Sequence, residues 1–300
     1  MSQYPLQLIN ERTLPSTYDG PVFIWDVDKT YLDTDFKSLV GLLRIPLEMA
    51  IDKRAIPGTA ALLRECRMGP STIPRQTPIY FVSASPPQLA AVIRRKMLLD
   101  GLQPDGFVFK DQLRLALRGR LGQLKHQVEY KLTAHFGLIA ALPPRAGLVL
   151  VGDDWESDAQ VFSLLDSVQR GDLEGDRLGR ALDQAGVRER SIPDLLGLSA
   201  KAAGRANVSL AVVLLTRGRD PGYARPFAPP VQTARESLQA AAIFHAAGLV
   251  SLDGVVSVAR HLQTEWGWVP ERVSSSLGDL EARSMLPNPI AKALRSAVSG

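Results

Sequence analysis

The sequence contains a single cysteine, Cys66, and four histidines that show no metal-ligand spacing. One cysteine cannot build an internal disulfide framework, and this usage is typical of a reducing compartment. Without clustered cysteines and histidines, we expect no zinc site. The chain also has no Walker loop, no GxGxxG motif after a strand and no GxSxG elbow. These absences argue against disulfide scaffolds, zinc domains and three common enzyme motifs.

Long apolar runs and blocks of basic residues are equally scarce. The apolar runs are far shorter than the roughly 20 residues of a membrane-spanning helix, and residues 1–16 show no apolar core typical of a signal peptide. The formal charge is +4, but the basic residues are scattered, so we expect no nucleic-acid partner. The sequence favours a cytoplasmic protein and leaves open both a peripheral membrane contact and the oligomeric state.

Short apolar runs alternate with helix-like segments over most of the 300 residues. This alternation predicts an α/β fold with a doubly wound parallel sheet. The predicted strands lie at residues 22–25, 79–82, 107–109, 148–151 and 208–215. Residues 1–20 read as an irregular lead-in, and the small inserts lie at 31–56 and 111–126. A proline-rich linker at 217–231 precedes helices, which predicts a catalytic domain over 1–225 and a C-terminal helical appendage over 226–300.

The first predicted strand ends in acidic residues, in the sequence DVDKT. Ligands bind at the carboxyl ends of strands in open α/β sheets. A spacing of two places Asp26 and Asp28 on the same side of an extended chain. Their repulsion would be relieved by a divalent cation bound to Asp26. It would also help to keep Asp28 protonated, as a general acid must be.

Other predicted strands end in residues suited to phosphate chemistry. Ser83 ends the second run and can hold phosphate oxygens, while Asp153 ends the fourth and would complete an oxygen-only site for Mg²⁺. Lys131, on a predicted helix, supplies positive charge for a transferring phosphoryl group. Asp26 can act as the nucleophile and Asp28 as the general acid and base. The residues predict phosphoryl transfer.

These segments resemble the motifs of the haloacid dehalogenase (HAD) phosphohydrolase superfamily. DVDKT is similar to its first motif, the serine of FVSAS to its second, Lys131 to its third and VGDDWESD to its fourth. The resemblance implies a HAD-like Rossmannoid fold and an Mg²⁺-dependent phosphatase with an aspartyl-phosphate intermediate. It implies the catalytic residues Asp26, Asp28, Ser83 and Lys131. The implied metal residues are Asp26, Asp28 (through its backbone carbonyl), Asp153 and Asp158.

Within that superfamily, the chain resembles the bacterial and fungal phosphatidate phosphatase catalytic-domain family over about residues 22–215. The similar segments are IPGTA, VSASP and the GDxxxxD pattern that begins at Gly152. This resemblance implies a phosphorylated lipid as the substrate. Two positions depart from the family pattern, since Lys29 replaces a second acid and Tyr130 replaces a histidine.

Several alternatives stay open at this point. The same chemistry could serve a soluble metabolite or a phosphoprotein, and a catalytically silent module could bind a phosphorylated partner. Lys110 and Lys125 are rivals of Lys131, and Asp154 is a weaker candidate than Asp158 to support the metal. The apolar residues 36–51, with basic residues in or after them, could either contact membranes transiently or pack on the core. Those basic residues are Arg44, Lys53 and Arg54.

Overall fold

A computed structural model describes residues 6–33, 55–110, 127–227 and 229–299. Seven of its strands form one sheet in the order β1-β4-β3-β2-β5-β6-β7. Neighbouring strands are parallel, except that β1 runs antiparallel to β4. The strands are β1 (Leu6–Asn10), β2 (Pro21–Asp26), β3 (Ile79–Ser83), β4 (Gly106–Lys110), β5 (Gly147–Asp153), β6 (Asn207–Leu214) and β7 (Val231–Ala234). The fold is therefore a mixed α/β fold with a mostly parallel sheet.

Helices cover both faces of this sheet. They are α1 (Thr59–Met68), α2 (Ala90–Leu99), α3 (Gln127–Ala141), α4 (Asp158–Gln169), α5 (Gly175–Gln184), α6 (Ile192–Ala202), α7 (Ser237–Ala246), α8 (Leu252–Trp266), α9 (Pro270–Ala282) and α10 (Asn288–Ser299). The central strands are buried on both sides because alternate side chains point to opposite faces. Phe23 and Trp25 pack with α1, α2 and α7–α10. Val22 and Ile24 pack with α3–α6 on the other face.

Two strands correct the secondary structure expected from the sequence. The supposed lead-in contains β1, which pairs with β4 from Leu6 opposite Lys110 to Asn10 opposite Gly106. β7 begins at the end of the supposed linker and pairs in parallel with β6. Both strands are short and lie at the sheet edges, where a strand needs no long apolar run.

The predicted division at residue 225 separates β6 from β7, which are neighbours in one sheet. The helices that follow bury apolar side chains against β2, as the contact of Phe244 with Phe23 shows. A separate helical region over 226–300 stays a prediction that this packing does not favour. The predicted inserts fall mainly on residues 34–54 and 111–126, which lie outside the described residues.

The parallel strands align their carboxyl ends along one edge of the sheet. β2 ends at Asp26, β3 at Ser83, β4 at Lys110 and β5 at Asp153. These four polar residues are buried. The sheet thus collects acidic, hydroxyl and basic side chains from distant parts of the chain at one place, as expected for ligand sites in open α/β sheets.

Candidate active site

Three buried carboxylates form the centre of the site. Asp26, Asp153 and Asp158 each offer an oxygen within 4.8 Å of the others. Thr30, from the turn after β2, joins two of them: its Oγ1 lies 3.3 Å from Asp26 Oδ2 and 3.2 Å from Asp153 Oδ2. Neighbouring strands and the start of α4 thus bring together residues more than 120 positions apart in the sequence.

Lys131, on α3, lies among these carboxylates. Its Nζ is 3.4 Å from Asp26 Oδ1 and 2.7 Å from Glu156 Oε2, and it also donates to Asp158 Oδ1. Burial opposes the charge of the ammonium, but the carboxylates, Asp158 first, raise the pKa of Lys131 well above its ordinary value. The lysine therefore stays charged beside Asp26.

Asp158 links the lysine to the end of β5. While Lys131 contacts its Oδ1, its Oδ2 accepts a hydrogen bond from the Asp153 backbone N–H at 2.9 Å. The approach is close enough to require glycine at position 152, where a Cβ would lie 2.2 Å from Asp158 Oδ2. Because both oxygens have partners, Asp158 is best suited to orient Lys131 and Asp153.

Negative charge exceeds positive charge in this cluster. Asp26, Asp153, Asp158 and Glu156 surround the single ammonium of Lys131 among the described side chains that contact one another here. Burial raises the pKa of Asp26 well above its ordinary range, although Lys131 opposes the shift. Burial, followed by the charge of Asp158, raises the pKa of Asp153 to about 7. An oxygen-only donor set with excess negative charge fits a hard divalent cation.

Asp28 lies beside the cluster and has hydroxyl partners. Ser83 donates to Asp28 Oδ2 at 3.0 Å, and Ser85 Oγ lies 3.3 Å from both of its carboxylate oxygens. Among the described residues, the grouped metal-type carboxylates do not include Asp28. Ser83, which the sequence suggested as a phosphate ligand, here orients the Asp28 carboxylate.

The two rival lysines differ in position. Lys125 lies outside the described residues. Lys110 is buried at the end of β4, with its Nζ 5.1 Å from the centre of the Tyr130 ring, and burial lowers the pKa of Lys110 to about 8. Tyr130, where the resembled family has histidine, donates its hydroxyl hydrogen to the Ser83 carbonyl oxygen. Lys131, by contrast, places its Nζ 3.4 Å from Asp26 Oδ1.

Asp154 faces a different part of the protein. Its Oδ1 accepts from the Arg217 backbone N–H at 2.7 Å, and its Oδ2 accepts from the Arg219 N–H at 3.0 Å. Asp154 therefore holds the loop after β6, whereas Asp153 and Asp158 face the acidic cluster. The sequence reasoning assigned no role to Thr30, Ser85 or Glu156, because their contacts appear only once the strands are aligned.

The fold and site define an α/β protein with a buried acidic cluster and a paired lysine at the carboxyl edge of a mostly parallel sheet. Residues 22–170 match the family model described as phosphatidate phosphatase APP1, catalytic domain. This segment, which contains the whole cluster, belongs to that family of phosphatase hydrolases. The match confirms the predicted family resemblance over residues 22–170.

Searches of curated proteins and of solved structures gave no match. Within the described ranges, none of the helices combines the length and apolar character needed to cross a bilayer.

Proposed function

We propose that the chain is an Mg²⁺-dependent phosphatase that removes the phosphate group from phosphatidate-like lipids through an aspartyl-phosphate at Asp26. The observation that carries this proposal is the buried group of Asp26, Asp153, Asp158 and Lys131 inside the family segment. The family description supplies the substrate class. The excess of carboxylates supplies the reason for a cation.

Asp26 is the proposed nucleophile. One carboxylate oxygen attacks phosphorus, a new O–P bond forms, and the bond from phosphorus to the lipid oxygen breaks. Water then attacks the phosphorus of the aspartyl-phosphate, which returns the Asp26 carboxylate and releases inorganic phosphate. Lys131, whose Nζ lies 3.4 Å from Oδ1, opposes the rise in the pKa of Asp26 that burial causes, and the Thr30 hydroxyl lies 3.3 Å from Oδ2.

Asp28 is the proposed general acid and base. It gives a proton to the departing lipid oxygen in the first step and takes a proton from the attacking water in the second. The hydroxyls of Ser83 and Ser85 fix its carboxyl group. These hydroxyls reach Asp28 from β3 and from the turn after it.

Lys131, and a magnesium ion held by the acids of the cluster, are proposed to stabilise the negative charge of the phosphoryl group. Asp26, Asp153 and the backbone carbonyl of Asp28 would hold a magnesium ion, with Asp158 supporting Asp153 and Lys131. The ion would supply positive charge for the phosphoryl oxygens. Lys131 would stabilise the same negative charge from the α3 side.

A phosphate-release assay tests the proposal. We expect release from phosphatidate in detergent micelles that requires Mg²⁺, ceases with chelator and is inhibited by beryllofluoride. The Asp26→Asn variant should fold normally and lose activity, because an amide cannot accept the phosphoryl group. Asp183→Asn is the matched control, since Asp183 is exposed on α5.

Three outcomes contradict the proposal in whole or in part. If Asp26→Asn turned over substrate at the wild-type rate, Asp26 would be excluded as the nucleophile. Tight binding of phosphorylated ligands without any phosphate release from lipids, sugars, nucleotides or phosphopeptides would instead favour a silent binding module. Faster release from a soluble ester than from phosphatidate would keep the chemistry and exclude the lipid assignment.

A further inference from the structure

An exposed tryptophan flanked by two basic side chains lies beside the candidate active site. Trp155, in the loop between β5 and α4, is 45% exposed. The Lys29 ammonium lies 5.0 Å from the centre of its ring, and the Arg217 guanidinium carbon lies 5.4 Å from it. We call Trp155, Lys29 and Arg217 the Trp155 patch. Its members come from the loops after β5, β2 and β6.

Hydrogen bonds fix the patch relative to the acidic cluster. The Trp155 backbone N–H donates to Asp153 Oδ1 at 2.6 Å. Thr216 Oγ1 donates to the Lys29 carbonyl oxygen at 3.1 Å, which joins the loop after β6 to the loop after β2. Lys29 adopts a φ of 63°, a left-handed conformation that a lysine rarely adopts. The three loops therefore hold the patch in a defined position. Within it, Trp155 directly follows Asp154 in the sequence and lies two residues after Asp153.

The outer surface of these loops is basic and aromatic, whereas the acids beneath it are directed inward. Asp153 and Asp154 are fully buried, and Glu156 is bound to Lys131. Lys29, whose side chain is 19% exposed, forms an ion pair with Asp33, whose side chain is 68% exposed; a pair with one partner in solvent contributes little. Among the described residues, no carboxylate forms an ion pair with the Arg217 guanidinium, which lies against the indole.

We infer that the Trp155 patch docks the protein on an anionic lipid bilayer, with the indole at the level of the headgroups and Lys29 and Arg217 on lipid phosphates. Tryptophan combines an apolar body with an N–H donor and is enriched at membrane interfaces. Lysine and arginine are drawn to the negative surface of such membranes. The inference rests on the proposed function, because it names the surface on which a lipid substrate would reach the catalytic carboxylates.

The patch is independent of the membrane contact that the sequence suggested. That contact involved residues 36–54, which lie outside the described residues. Two of the three loops of the Trp155 patch, those after β2 and β5, also carry the catalytic acids. Docking through the patch would therefore bring the candidate active site to the bilayer surface.

Vesicle flotation tests the inference without any need for turnover. The full chain, in chelator, is mixed with phosphatidylcholine vesicles with or without phosphatidylserine, which the proposed reaction does not consume. The variants are Trp155→Ala and Arg217→Ala. The matched control is Arg272→Ala. The guanidinium carbon of Arg272, on α9, lies 3.9 Å from the ring centre of Trp268, so this variant loses the same charge and a similar stacking contact.

We expect binding to anionic vesicles that weakens at high salt. Arg217→Ala should lower the partition coefficient about fivefold, the effect of one basic residue near an anionic surface. Trp155→Ala should lower it at least as much, and Arg272→Ala should leave it unchanged. Melting temperatures establish that each variant is folded, and Arg217→Ala decides the matter if Trp155→Ala does not fold.

The inference is overturned if the wild-type protein does not bind anionic vesicles. It is also overturned if the patch variants bind these vesicles as strongly as Arg272→Ala does. Phosphate release from phosphatidate in micelles reports the proposed function separately. If phosphate is released from micelles but the protein does not bind vesicles, the proposed function stands and the docking inference is wrong. If vesicle binding depends on Trp155 but no phosphate is released from phosphatidate, the docking inference stands and the proposed function is wrong.

Discussion

Thr30 shows at the residue scale how the site depends on contacts that sequence order hides. Its hydroxyl lies between Asp26 and Asp153, which are 127 residues apart. The sequence predicted both acids because each ends an apolar run, but nothing in it says that Thr30 joins them. Ser83 gives the converse case: its position at a strand end was predictable, whereas its hydrogen bond to Asp28 was not.

We expect Thr30→Val to weaken Mg²⁺ binding about 10- to 100-fold, the usual effect of removing a group that orients metal ligands. Valine keeps the shape of the side chain but cannot bond either carboxylate. Calorimetric titration with Mg²⁺ measures the change. Thr30→Ser should retain most of the affinity, and Thr133→Val, which loses a hydroxyl bonded only within α3, should bind as wild type does. Unchanged affinity in Thr30→Val would remove Thr30 from the metal site.

The raised pKa of Asp153, about 7, predicts how the metal-free protein responds to pH. Between the ordinary carboxyl pKa and pH 7, the folded protein binds a proton that the unfolded chain has lost, so stability falls as pH rises through this window. Asp26 acts in the same direction. In chelator, the melting temperature should be higher at pH 5 than at pH 8.

Asp153→Asn should reduce this pH dependence, and saturating Mg²⁺ should reverse it, because the deprotonated carboxylates then bind the ion. Melting curves at fixed ionic strength measure both effects. A melting temperature that rises with pH in chelator would show that these carboxylates are already stabilised as anions without metal.

At the scale of elements, the apolar runs made the central strands predictable and the edge strands obscure. β2 and β5 are buried on both faces and need continuous apolar sequence. β1 is mostly exposed and β7 has only four residues, so neither shows a clear period. β1 and β7 pair with the outer sides of β4 and β6, and these sides can be recognised only once the sheet is assembled.

The junction between β5 and α4 is tested by Gly152→Ala. The added Cβ would lie 2.2 Å from Asp158 Oδ2, so the turn must shift and the contact of Asp158 with Lys131 must loosen. We expect a loss of about 1–3 kcal/mol in the free energy of unfolding, as for other overpacked sites, together with a loss of phosphatase activity.

Gly137→Ala provides the control on a nearby helix. Nothing lies within 4 Å of a Cβ at position 137 in α3, so alanine should leave stability unchanged or raise it by up to about 1 kcal/mol. Equal stability and activity in the two variants, measured by urea unfolding and phosphate release, would contradict the proposed role of the junction.

For the whole molecule, the C-terminal helices behave as a layer of the core. Phe244, on α7, packs edge-on against Phe23 at 5.4 Å and Trp25 at 6.5 Å between ring centres. Phe244→Ala should lower the free energy of unfolding by about 3–5 kcal/mol. Tryptophan fluorescence and circular dichroism should both report one unfolding transition, and its midpoint should fall by the same amount with both probes in Phe244→Ala. Two separate transitions, with only one sensitive to Phe244, would restore the predicted boundary at residue 225.

The central claim is that Asp26 carries the phosphoryl group, and covalent trapping tests it most directly. The protein is mixed with phosphatidate labelled in its phosphate, quenched in acid and digested, and the labelled peptide is identified by mass spectrometry. We predict label on the peptide that contains Asp26, lost with chelator and in Asp26→Asn. Steady phosphate release by wild type with no labelled peptide at any quench time, or with label at another residue, would contradict the account.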